Sequence, residues 1–86
     1  MKEEYKPKTL EQMLGYLIEE AGEVLTAIGK SRRCGLFSSN PELPPDEQEK
    51  NGDWILRELK DLRRAIDLVE PALRLRMNTG DRGSRE

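Results

Sequence analysis

A chain of 86 residues, 35% of them apolar and 37% charged, has room for one small domain, and its apolar fraction is low for a core that closes on itself. With a net charge of −2, nothing in the bulk electrostatics argues for nucleic acid or a membrane surface as a partner. One cysteine, Cys34, and no histidine exclude an internal disulfide framework, a Cys/His zinc site and imidazole acid–base catalysis.

In chain order, residues 1–8 are polar and lack the apolar run of a signal segment, so a flexible N-terminus is expected. No stretch approaches membrane-spanning length, which points to a cytoplasmic protein. Thr9 is a good helix N-cap, and Gln12 completes a capping-box pattern. Leu10, Met13, Leu14, Leu17, Ile18, Ala21, Val24, Leu25 and Ile28 then follow in steps of three and four, the helical period. Gly29 is placed to end this helix, with Lys30 favourable for the C-terminal dipole. Gly22 lies among acidic residues, where it would permit a close backbone approach.

Between Ser31 and Gly52 the chain is rich in Gly, Ser, Asn and Pro, a connection long enough to be functional or mobile. A short helical turn is expected after Pro44 and Pro45, and Asn51-Gly52 reads as a break before an N-cap at Asp53. The second helix carries a main stripe of Ile55, Leu59, Leu62, Ile66, Val69 and Leu73. A second strip is formed by Trp54, Ala65, Leu68 and Ala72. Two apolar sides suggest more than one packing neighbour, as in a four-helix assembly. Pro71 is expected to kink the helix or open a short new one, and residues 78–86 to form a disordered tail. The expected fold is an all-α antiparallel helical hairpin over residues 9–77, with short extra helices, assembling as a four-helix-bundle-type homodimer or homotetramer.

Each long helix also carries an acidic pair at i,i+3: Glu20 with Glu23, and Glu58 with Asp61. At about 100° per residue, Glu20 lies roughly 85° from the middle of the first helix's stripe, and Glu58 about 60° from the main stripe of the second helix. Each pair therefore starts at the edge of a buried seam. Like charges at this spacing repel, a cost that a divalent cation would reverse. Four carboxylate oxygens suit Mg²⁺, with Mn²⁺ as a substitute, and not zinc. The plain alternative is a pair of solvated acidic faces. Glu19 points away from the first stripe, a solvated position that leaves a role as a base open.

Glu19-Glu20-Ala21-Gly22-Glu23-Val24 followed by Glu58-Leu59-Lys60-Asp61-Leu62 resembles the MazG-like all-α nucleoside triphosphate pyrophosphohydrolases. The resemblance covers about Leu10 to Val69. It implies that Glu20, Glu23, Glu58 and Asp61 bind Mg²⁺, and that a nucleoside triphosphate is hydrolysed to monophosphate and pyrophosphate as nucleotide-pool house-cleaning. Glu19 is then a candidate base. Lys30 and Arg33, in the basic run after the acidic helix, are candidates for phosphate contact, and Trp54 for stacking on a base. Packing between subunits is an equal alternative for Trp54, and dipole compensation for the basic run. Leu36 and Phe37 are candidates to anchor the loop or line a base pocket. The rival to the hydrolase is a non-catalytic helical oligomerisation module. A family member that binds nucleotide or metal without turnover is a third possibility.

Overall fold

The computed structural model describes residues 6–41 and 43–80, and over them the chain is helical without strands. Helix α1 spans Leu10–Cys34 and α2 spans Asn51–Leu75; their mutual contact makes the hairpin. The connection includes a 3-10 turn at Pro45–Glu47, and α2 runs on into a π-helical turn at Arg76–Gly80. No described helix is long and apolar enough to cross a membrane. The flexible ends expected at residues 1–5 and 81–86 lie outside the described residues.

The start of α1 is built as its sequence predicts. Thr9 Oγ1 accepts the Gln12 backbone N–H at 3.1 Å, and the Gln12 side chain accepts the Thr9 N–H at 3.4 Å and the Lys8 N–H at 2.8 Å. These bonds satisfy amide groups that a helix N-terminus leaves without intrahelical partners. The other end differs from expectation. Gly29 does not stop the helix, which runs on to Cys34 and is capped at Gly35, whose φ of 98° favours glycine. The run Lys30-Ser31-Arg32-Arg33 therefore forms the last helical turns and not the start of the loop. Ser31 Oγ donates to the Ala27 carbonyl, and Arg32 and Arg33 fall at the negative end of the dipole.

The loop is tied back onto the start of α2. Asn51 N–H donates to the Ser38 carbonyl and Gly52 N–H to the Leu36 carbonyl, both at 2.8 Å, while the Asn51 side chain donates to the Gly35 carbonyl at 2.9 Å. Asn51 and Gly52 thus open α2 instead of breaking the chain before it, and Lys50, not Asp53, is the N-cap residue. Leu36 anchors the loop through its backbone. Phe37 is 81% exposed, with Lys50 Nζ 5.6 Å above its ring. Pro71 is accommodated inside α2, which continues to Leu75. Residues 78–80, assigned to the tail from sequence, belong to the π-helical turn.

The two helices do not meet along the middle of their apolar stripes. The buried line of α1 is Tyr16, Glu20, Val24, Ala27 and Ser31; that of α2 is Asn51, Glu58, Ala65 and Val69. On α1 this line is rotated roughly 85° from the apolar stripe, at about 100° per residue. On α2 it runs between the two apolar strips. Leu14, Ile18, Leu25 and Ile28 are consequently exposed on α1, as are Leu56, Ile66 and Leu73 on α2. The hairpin puts small and polar residues in its seam and turns much of its apolar surface outward.

Candidate functional site

The rotation of α1 brings the acids into the seam. Glu20 and Glu58 are buried, with 9% and 6% of their surface exposed, and Asp61 is half-buried beside them. One carboxylate oxygen from each of Glu20, Glu58 and Asp61 lies within 4.8 Å of the other two. Glu23, one helical turn on from Glu20, is exposed and stands outside that trio. Three of the four predicted ligands, Glu20, Glu58 and Asp61, are therefore brought together, and Glu23 stands outside the group.

Neighbouring groups fix the Glu58 side chain without neutralising the cluster. Its Oε2 accepts from Trp54 Nε1 at 3.3 Å and from the Arg57 guanidinium at 3.4 Å. Arg64 lies 3.8 Å from Asp61, a long and largely solvated pair. Among the described residues, Oε1 of Glu20 and Oε1 of Glu58 are buried side-chain oxygens without a hydrogen-bond partner. An unsatisfied buried acceptor costs about 1–3 kcal/mol, more when charged. Burial holds the Glu20 carboxyl above its ordinary range, and the charges of Asp61, Glu58 and Glu19 push it the same way. Glu23 is raised by desolvation, by the charge of Glu20 and by its bond to Glu58. Tyr16, buried one turn before Glu20, is raised by burial and by the carboxylates of Glu20 and Asp61.

These oxygens fit a hard divalent cation. Oxygens at ~2.1 Å from one Mg²⁺ lie at most about 4.2 Å apart, so the trio needs only a small contraction to share an ion. The set is all oxygen and anionic, which is poor for zinc and suitable for Mg²⁺ or Mn²⁺.

Directly beyond Trp54 is a cavity of about 270 Å³ under the loop, at the closed end of the hairpin. Lys30, Leu43, Asn51, Trp54 and Arg57 are among its lining residues. Lys30 and Trp54, singled out from sequence, thus share one wall space. Arg33 is exposed and does not line the cavity, and Glu19 is exposed on the outer side of α1, where its charge still acts on Glu20 and Glu23. Leu36 and Phe37 are not among the lining residues; Leu43 supplies the apolar contact from the loop. Gly22 is exposed, and a Cβ there would meet nothing within 4 Å, so it serves no close approach.

Two participants were not singled out from sequence. Arg57 makes a 2.6 Å ion pair with Glu49 of the loop while also touching Glu58, so it spans the cavity and the acidic cluster. Its position next to Glu58 was visible, but its partner depends on the path of the loop. Tyr16 lies one turn before Glu20 on the same face, a spacing that would have placed it. No protein-family model, curated protein or solved structure matches the chain.

Proposed function

We propose that the chain is a Mg²⁺-dependent nucleoside triphosphate pyrophosphohydrolase, with Glu20, Glu58 and Asp61 as the principal metal ligands and Glu23 completing the set. One observation carries the reading: two buried carboxylate oxygens, one from each helix, face each other's charge without a hydrogen-bond partner. A fold that burdens itself with such a cluster is explained by a cation that removes the cost. The ExxE and ExxD spacing, and its resemblance to MazG-like enzymes, supplies the reaction class.

Bound Mg²⁺ would neutralise phosphate oxygens and lower the pKa of a coordinated water. The chain's own residues supply the rest. Trp54 and Arg57 hold Glu58 in place, so the ligand set is oriented before anything binds. Glu23 stands on the solvent side of the ligand set, and the proton of an attacking water would leave to solvent on that side. Glu19 lies farther out, and its contribution is the negative field that raises both Glu20 and Glu23. Lys30 offers positive charge to phosphates arriving from the cavity side. Self-association into a dimer or tetramer belongs to this proposal, because the exposed apolar residues need cover.

Those same exposed residues favour the second reading, a non-catalytic oligomerisation module. Pyrophosphate release from a panel of ribo- and deoxyribonucleoside triphosphates separates the two. Mg²⁺-dependent release by the wild type that drops at least about 100-fold in Glu20→Gln and Glu23→Gln supports the hydrolase. A folded protein that releases no pyrophosphate from any of them, and whose melting temperature ignores Mg²⁺, is the interaction module.

A further inference from the structure

The cavity under the loop differs in charge from a simple phosphate pocket. Besides Lys30 and Arg57 it is lined by two carboxylates, Glu47 and Glu49, and by Asn40. An anion would be repelled from the Glu47 side. Glu49 is already paired, its Oε1 2.6 Å from the Arg57 guanidinium, so Glu47 is the carboxylate that faces the cavity with its charge least compensated. The volume, about 270 Å³, is just below the ~300–1,000 Å³ of whole small-molecule sites, enough for a flat ring system but not for a full nucleotide. Trp54 provides an aromatic wall, and its indole N–H is held by Glu58, which limits its rotation.

We infer that this cavity is a nucleobase site that selects bases carrying an exocyclic amino group. Glu47 accepts the amino N–H, Trp54 packs on the ring, and Lys30, which lines the same cavity, meets the phosphate. The inference rests on the proposed nucleotide chemistry for its ligand class. Cytosine, adenine and guanine each present an amino donor; uracil and thymine offer only an imide N–H flanked by two carbonyl oxygens, which a carboxylate repels. Selection therefore follows from the loop, not from the acidic cluster, and involves no bond making or breaking.

Trp54 is the chain's single tryptophan, so its fluorescence reports on the cavity without turnover. The probes are CMP, AMP, GMP, UMP and TMP, titrated in EDTA, with calorimetry to remove absorption artefacts. The amino-bearing monophosphates should bind about tenfold tighter than UMP and TMP, and Glu47→Gln should shrink that gap to within about threefold. Lys30→Ala should weaken all five by a similar factor while leaving cytidine itself unaffected, with Lys30→Arg partly restoring them. Equal affinity for all five bases, an unmoved Trp54 signal, or a gap unchanged in Glu47→Gln overturns the assignment. The outcomes also separate from those of the hydrolase: base-selective binding without pyrophosphate release would sink the enzyme and leave the cavity standing. Pyrophosphate release with no base discrimination and no Trp54 response would do the reverse.

Discussion

Glu20 is a carboxyl group whose surroundings work against its charge. It is buried, it has one oxygen without a partner, and Asp61, Glu58 and Glu19 add negative potential. Tyr16 also faces it, while Arg57 and Arg64, the cations paired within the cluster, are committed to Glu49, Glu58 and Asp61. The native state of the metal-free protein therefore holds a proton on Glu20 more tightly than the unfolded chain does. That contribution to stability is complete below the ordinary value of 4.5 and is lost as pH rises through the raised one. Glu23 shifts the same way, but it is exposed and its share is smaller. In EDTA the urea midpoint should be higher at about pH 5 than at about pH 8, and Mg²⁺ should recover the loss at the higher pH. Glu20→Gln should flatten this profile and raise metal-free stability at neutral pH by about 1 kcal/mol, while abolishing the response to Mg²⁺. If that variant is less stable than the wild type in EDTA at neutral pH, Glu20 is held by a favourable partner and not poised for a cation. The i,i+3 spacing made the convergence of these acids legible in the sequence, because helix geometry converts spacing into position. The bonds from Trp54 and Arg57 to Glu58 were not legible, since they depend on rotamers and on where the loop carries Glu49.

At the scale of the helices, local signals located the beginning of α1 better than its end. The capping box at Thr9 and Gln12 is a short-range device and forms as the residues dictate. Gly29 carries a propensity cost of about 1 kcal/mol relative to Ala, too little to stop a helix whose next turn buries Ser31 and continues the contact with α2. Asn51 and Gly52 likewise resemble a break in isolation but serve as the loop's anchor, because their amides reach back to Ser38 and Leu36. Pro71 is the strongest such conflict. Lacking an N–H, it leaves the Asp67 carbonyl without its helical partner, yet α2 continues past it. Asp67 is exposed, so water can take that bond. Pro71→Ala should stabilise the protein by about 2 kcal/mol, below the ~3 kcal/mol propensity difference because proline also restricts the unfolded chain. Chemical denaturation measures this directly. A loss of stability instead would mean that the chain direction set at Pro71 is needed to seat the Arg76–Gly80 turn.

The whole molecule presents an imbalance that neither single residues nor single helices explain. Its seam mixes Tyr16, Glu20, Ser31, Asn51 and Glu58 with the small apolar residues Val24, Ala27, Ala65 and Val69, while Ile18 and Leu25 are 73% and 69% exposed. Leu14, Ile18, Leu25 and Ile28 share one face of α1, and Ile66 and Leu73 lie on α2 with the same helical spacing. The sequence showed these stripes clearly, and they suggested the core of the hairpin. The hairpin instead meets along the edge of one stripe and between two others, so the strongest apolar pattern describes a contact that one chain does not make. Covering that face with a second copy would enclose a four-helix core and leave the acidic cluster at its flank. The wild type should therefore migrate at about two or four times the 9.9 kDa chain mass in light-scattering chromatography, with a melting temperature that rises with protein concentration. Ile18→Glu or Leu25→Glu should shift it to the monomer mass, because a buried unpaired carboxylate costs several kcal/mol at such an interface. Glu19→Ala, on a solvated position between them in sequence, should leave the mass unchanged. If the wild type is a monomer at micromolar concentration and the Ile18→Glu variant melts with it, the apolar face has no partner in this protein, and assembly drops out of the proposal.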